Sequence, residues 1–246
     1  MKKFCMFLAV FGLVALTATY AFGQEMSAQD LLNGQSDVPV YQQLKEKFIE
    51  GGAGFMASVL ICLILGLAVA IERIIYLTLS TTNTQKLLAK VEDALKNGGV
   101  EAAKEVCRNT RGPVASIFYQ GLSRMDEGME VVEKSVVSYG SVQMSQLENG
   151  ISWIQLFIAI APMLGFLGTV IGMVGAFDAI QAAGDISPTV VAGGIKVALI
   201  TTIGGLIVAI ILQMFFNYII SKIDSIVVSM EEASISLIDL LVKYKK

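Results

Sequence analysis

Residues 151–180 and 189–218 form two apolar runs of 30 residues each, and they share two charges, Asp178 and Lys196. As helices rising 1.5 Å per residue, each would be roughly 45 Å long, more than the ~30 Å hydrocarbon thickness of a bilayer. A helix satisfies its own backbone polar groups, so runs this long and this poor in charge belong inside a membrane. Both are read as transmembrane helices, joined by a short loop with Gly184, Asp185, Ser187 and Pro188.

The small residues in these runs fall in a pattern. In the first, Ala161, Gly165, Gly168, Gly172, Gly175 and Ala179 recur at spacings of 4, 3, 4, 3 and 4. This puts a strip without side chains along one helix face. In the second, Gly194, Ala198, Thr201, Gly205 and Ala209 form a matching strip. Lipid gives helices no hydrophobic reason to associate, so contact depends on close backbone approach, which such strips permit. Thr169 lies beside the first strip, and Thr201 and Thr202 lie within the second. A threonine in a helix can bond a carbonyl three or four residues back, which makes it cheap in lipid. The same oxygen can serve water or an ion. Two facing small-residue helices with mid-span hydroxyls therefore suit either a tightly packed hairpin or the wall of a polar path.

Composition narrows the function classes. Of 246 residues, 54% are hydrophobic and 16% charged, with no histidine. That removes the commonest general base and the commonest metal ligand. Cys5, Cys62 and Cys107 have neither metal nor disulfide-framework spacing. An enzyme, a metal centre and a cofactor site are not expected. The net charge of −3 and the lack of a basic, aromatic-interleaved patch argue against nucleic acid as a partner.

The rest of the chain fits a multi-pass plan. Residues 1–23 read as a signal peptide or an uncleaved N-terminal span: Lys2 and Lys3, an apolar run, then Ala21-Phe22-Gly23 as a cleavage site. Residues 24–54 read as a polar periplasmic extension, with a short amphipathic helix over 41–50. Residues 55–79 are the first mature transmembrane helix, interrupted near its inner end by Glu72-Arg73. Residues 80–150 are hydrophilic and carry Lys86, Lys90, Lys96, Lys104, Arg108, Arg111, Arg124 and Lys134, whereas 181–188 has no Lys or Arg. The positive-inside rule puts 80–150 in the cytoplasm and 181–188 in the periplasm. Within 80–150, Leu87, Leu88, Val91, Ala94 and Leu95 make an apolar face that Gly98-Gly99 closes, and Gly112-Pro113 breaks the chain. From Met129 the helical pattern is expected to run into the 151–180 span without a stop. Beyond Tyr218, residues 219–246 read as a cytoplasmic C-terminal helix whose stripe is Ile219, Ile223, Ile226, Met230, Ala233, Leu237, Leu240 and Tyr244. The fold class is an all-α membrane protein: three transmembrane helices in the mature chain, with long cytoplasmic helical extensions expected to bundle.

The string from Ala161 to Met173, APMLGFLGTVIGM, and that from Gly194 to Leu206, GIKVALITTIGGL, resemble the MotA/TolQ/ExbB proton-channel family, and within it the ExbB/TolQ branch. Ile71-Glu72-Arg73 and Gly112-Pro113-Val114 also fit. The resemblance implies a subunit of a homopentamer in the bacterial inner membrane. That pentamer would surround an ExbD/TolR-like single-span partner with an intramembrane aspartate, and a TonB- or TolA-like protein would be a further partner. Ion flow past the partner would energise outer-membrane transport or integrity. By position, the resemblance makes Thr169 and Thr202 pore threonines, with Thr201 beside them on the ion pathway. It makes Pro162 the proline that shapes the second span. Gly165, Gly168, Gly172, Gly175, Gly194, Ala198 and Gly205 are the expected helix-packing positions. Many relatives of that branch carry glutamate where this chain has Val197. Lys196, next to it, is expected either to snorkel near the outer surface, paired with Asp178 or Asp185, or to meet an acid of the partner at the pore mouth. The alternatives are a non-conducting scaffold and the stator of a motility or secretion motor.

Overall fold

The computed structural model describes residues 40–184 and 188–245. The signal-like start, most of the outer extension, and Asp185 and Ser187 of the loop lie outside them. The described residues form seven α-helices: α1 Val40–Glu50, α2 Ala53–Ser80, α3 Thr84–Arg108, α4 Pro113–Ser123, α5 Met129–Glu148, α6 Ile151–Ala183 and α7 Pro188–Lys245, with a 3₁₀ turn at Met125–Glu127. No strand occurs among the described residues. Among the described residues three helices are long and apolar enough to cross a membrane, and the protein is an all-α membrane protein. The chain divides into two compact units, one built from residues up to 70 and 152–218, the other from 71–151 and 219–246.

The first unit holds α1, most of α2, α6 and the first half of α7. Its core gathers Val59 of α2, Ala161 of α6, and Val208 and Leu212 of α7, with Phe55, Leu63, Leu67, Phe157, Ile158 and Leu164 packed around it. Gly66 makes room for Leu212, whose methyl carbons would lie 2.7 Å from a Cβ at that position. α1 and α2 meet at a tight corner where Gly52 has φ +82°, a conformation that favours glycine. The outward faces of α2 and α6, among them Ile61, Ile64, Met163 and Phe166, are exposed. In a membrane protein such faces meet lipid or other chains rather than water.

The second unit is a helical bundle. Asn83 caps α3, its side chain accepting a hydrogen bond from the Lys86 N–H at 3.1 Å. Leu87, Val91 and Leu95 are buried, as the apolar pattern predicts. At Gly99 the backbone leaves helical geometry with φ +74°. Gly112 has φ +118° just before Pro113 opens α4, and Thr82 donates to the Arg111 carbonyl across this turn. On α4, Gly121 lies against Val136 of α5 and Leu237 of α7. Arg73 fills the space beside Gly150, pairs with Glu72 at 2.6 Å and sits 5.2 Å over the Tyr76 ring.

Two expectations about this unit are corrected. The helix from Met129 does not run through to the next span. It stops at Asn149, whose ψ is 134°, and Gly150 turns with φ +84° into the left-handed region. The C-terminal stripe holds from Ile219 to Leu237, but the next buried residue is Leu241 rather than Leu240, and Tyr244 is exposed. A straight α-helix drifts about 20° per heptad against a 3.5-residue repeat, so after three heptads the buried position has moved on by one residue. Leu237 is fully buried, and Leu237→Ala is expected to cost about 2–4 kcal/mol. Denaturant unfolding of the solubilised full chain, followed by hydrogen exchange in α4 and α5, checks it.

Candidate functional site

The contact between α6 and α7 is made of backbone. A Cβ at Gly205 would fall 2.5 Å from the Ala161 carbonyl oxygen and 3.0 Å from the Gly165 Cα. One at Gly165 would lie 3.1 Å from the Thr201 carbonyl oxygen, and one at Gly172 3.1 Å from the Ala198 nitrogen. Gly194 faces Gly172 and Ala176. Here the small residues expected to pack do meet across the hairpin. Gly175 does not: it is exposed, and a Cβ there would meet nothing within 4 Å. Ala176, 6% exposed, takes its place in the contact, so the observed spacing is 4, 3, 4 and 4 from Ala161. On α7, Val208 and Leu212 rather than Ala209 continue the buried strip. Pro162, inside α6, has no N–H to donate and leaves the Ile158 carbonyl without its helical partner.

The three threonines fall in two environments. Thr169 donates its hydroxyl to the Phe166 carbonyl at 2.6 Å. Thr202 donates to its own helix at Ala198, 3.2 Å, and lies 3.3 Å from the Gly165 carbonyl of α6. Both are partly exposed, and each oxygen keeps its lone pairs. Thr201 differs. It is 1% exposed, its hydroxyl bonds the Ala198 carbonyl at 2.8 Å, and its Cβ and Oγ1 fill the space in front of Gly168. Thr201, expected on the ion pathway, lies in the helix contact. Adjacent helical residues point about 100° apart, which is why Thr201 and Thr202 part company.

Within this chain Lys196 pairs with Glu50 rather than with Asp178. Its Nζ lies 2.9 Å from Oε1 of Glu50, the last residue of α1, and Lys47 adds a second contact to Glu50 at 3.5 Å. The Lys196 hydrogen bond, helped by the charge of Lys47, holds the Glu50 carboxyl below the usual carboxylate range, so Glu50 is charged near neutral pH. No sequence pattern flagged Glu50, because its partner is 146 residues away. Close by, a groove of about 470 Å³ opens between the α1–α2 corner, α6 and α7. Thr169 and Thr202 are not among the residues that line it. No group of acids and cysteines among the described residues could hold a metal ion.

A family model described as the MotA/TolQ/ExbB proton channel family matches residues 109–232. A protein of Methanothermobacter thermautotrophicus, named as a biopolymer transport protein ExbB homolog, is 37% identical over 163 residues, 65% of this chain and 57% of that one. The chain thus spans little more than half of that relative's length. An ExbB-like protein of Synechocystis is 28% identical over 183 residues, 73% of this chain and 71% of the relative. The Tol-Pal system protein TolQ of Haemophilus influenzae is 33% identical over 84 residues, 34% of this chain and 37% of TolQ.

Proposed function

This chain belongs to the MotA/TolQ/ExbB proton channel family, and from that premise we propose that it forms the fixed wall of an ion path in an inner-membrane motor complex. The observation that carries the proposal is the state of Thr169 and Thr202. Each spends its proton on a backbone carbonyl and keeps oxygen lone pairs, so the pair presents acceptors to a passing cation. Neither apolar run carries an acid within a turn of those threonines. Asp178 lies nine residues past Thr169, and the only charge of the apolar part of α7 is Lys196.

A proton relay through a membrane normally runs on an ionisable residue within it. The titrating group therefore comes from elsewhere, on this reading from an ExbD/TolR-like single-span partner with an intramembrane aspartate. The wall supplies fixed acceptors, and the partner's carboxyl takes up and releases the proton. Several copies of this chain, five by resemblance, would enclose the partner helices. Ion flow would drive motion that a TonB- or TolA-like protein passes to the outer membrane. The distribution of Lys and Arg supports a cytoplasmic 80–150 segment and C-terminus, with the 181–188 loop in the periplasm.

Reconstitution tests this. Proteoliposomes with this chain and its single-span partner are expected to pass protons down an imposed gradient. Replacing the partner's aspartate by asparagine is expected to cut that flux at least ~10-fold, the usual scale for losing a group that carries protons. Equal flux from this chain alone would overturn the proposal.

A further inference from the structure

The second unit carries a groove that the conduction reading leaves unused. It opens between α4 and α5 and has a volume of about 740 Å³, within the range of small-molecule sites. Gln120 of α4 and Arg124, just past its end, form one side. Glu130, Lys134, Ser135 and Tyr139 form the other, and their spacing of four, one and four puts them on one face of α5. All six side chains are polar, and none makes a hydrogen bond or ion pair with another described residue. Serines nearby behave differently. Ser116, Ser123 and Ser141 each donate to the carbonyl four residues back, at 3.3, 2.7 and 3.3 Å. Ser135 does not, although it is only 9% exposed. Every fully enclosed side-chain oxygen or nitrogen among the described residues has a partner, so the Ser135 hydroxyl is reached from the groove it lines.

The charges are just as open. Glu130 and Lys134 stand four residues apart with the acid first, the order that favours an ion pair on a helix. Glu92 and Lys96 of α3 have the same order and meet at 2.7 Å. Glu130 and Lys134 do not meet, and Arg124 does not take the Glu130 carboxylate either. The groove therefore offers two cations at its sides, a buried hydroxyl and one carboxylate. Its donors exceed what a ligand carboxylate can accept: a guanidinium has five N–H groups and an ammonium three, against about four lone-pair positions. A phosphate has more acceptor oxygens and pairs well with arginine. Glu130 repels a bare phosphate but accepts a hydrogen bond from an ammonium. We infer that this groove binds a small phosphate ester that carries an amine: Arg124 and Lys134 hold the phosphate, Ser135 donates to it, and Glu130 takes the ammonium. The same chemistry occurs in a soluble phosphoamine and in an aminophospholipid headgroup. The groove shares no residue with the wall of Thr169 and Thr202, and the inference stands apart from the conduction reading.

Calorimetric titration of the purified full-length protein with O-phosphoethanolamine tests it. Saturable binding is expected, half-complete below about 1 mM, with inorganic phosphate at least ~3-fold weaker. Arg124→Gln and Lys134→Gln are each expected to weaken the ester about tenfold, and Ser135→Ala about threefold. Glu130→Gln is expected to erase the preference for the ester by strengthening inorganic phosphate. Lys96→Gln removes the same charge away from the groove and is expected to change affinity less than about twofold. Cys107 reports on folding: it is 2% exposed, and burial pushes its thiol up to about 12, so it should resist maleimide in every variant. Short-chain phosphatidylethanolamine separates the two sources. Tighter binding than the soluble ester, lost in Lys134→Gln, assigns the site to a lipid headgroup, and no binding beside a saturable ester assigns it to a soluble one. No saturable heat from any probe up to about 10 mM, equal weakening by Lys96→Gln and Lys134→Gln, or a preference for the ester that survives Glu130→Gln overturns the inference.

Discussion

Gly205→Val is expected to destroy the α6–α7 hairpin. Its added Cβ would fall 2.5 Å from the Ala161 carbonyl oxygen, 3.0 Å from the Gly165 Cα and 3.1 Å from the Gly165 nitrogen. These neighbours are backbone, and none can rotate aside as a side chain could. The two helices must separate by an ångström or more. That forfeits the dispersion contacts of the whole strip, the main attraction between helices that lipid does not push together. A loss of about 3 kcal/mol or more is expected, at the upper end for overpacking. Denaturant titration of the purified protein measures it, and loss of assembly and of flux should follow. Gly175→Val is the internal comparison. It lies on α6, the other helix of the pair, with nothing within 4 Å of its added Cβ, and is expected to shift stability by less than about 0.5 kcal/mol. A stable Gly205→Val protein, or equal damage from both, would show that the hairpin is held in another way.

The double variant Thr169→Ala, Thr202→Ala is expected to keep the fold and lose conduction. The hydroxyls bond the carbonyls of Phe166, Ala198 and Gly165. Each carbonyl sits within a helix and retains its backbone N–H donor, so no buried group is orphaned. Stability should fall by no more than about 1 kcal/mol, while flux through the reconstituted complex falls at least ~10-fold. Thr201→Ala should do the reverse. Its side chain is 1% exposed and fills the space at Gly168, so its loss leaves a hole worth about 1–2 kcal/mol while flux per folded complex stays near wild type. Loss of flux in Thr201→Ala with the double variant unaffected would reverse the assignment of wall and contact.

Much of this was legible before any coordinates. The three spans are long apolar runs, and the membrane interior admits such runs as helices. The pairing of α6 with α7 followed from glycine and alanine at three- and four-residue intervals. The breaks at Gly99 and Gly112 followed from glycines that the pattern could not absorb. Two kinds of misreading remain, and each has a cause. Extending a 4, 3 alternation predicted Gly175 and Leu240, where Ala176 and Leu241 are buried. A strict alternation averages 3.5 residues per turn and an α-helix has 3.6, so the error grows with distance from where the pattern begins. At Gly150 the apolar pattern on both sides hid the break, because periodicity records which face is apolar and not whether the backbone is continuous.

The sequence by itself determined what must lie in lipid, which faces must be bare enough for backbone to touch backbone, and where hydroxyls are available at mid-span. Those properties are local: each depends on residues within a turn or two of one another. The tertiary structure alone decided that Thr201 is packed while Thr202 keeps an open edge. It alone joined Lys196 to Glu50 across 146 residues. Such choices depend on which neighbour reaches a side chain first. A one-dimensional pattern carries no record of that, because the partners become neighbours only after the helices have packed.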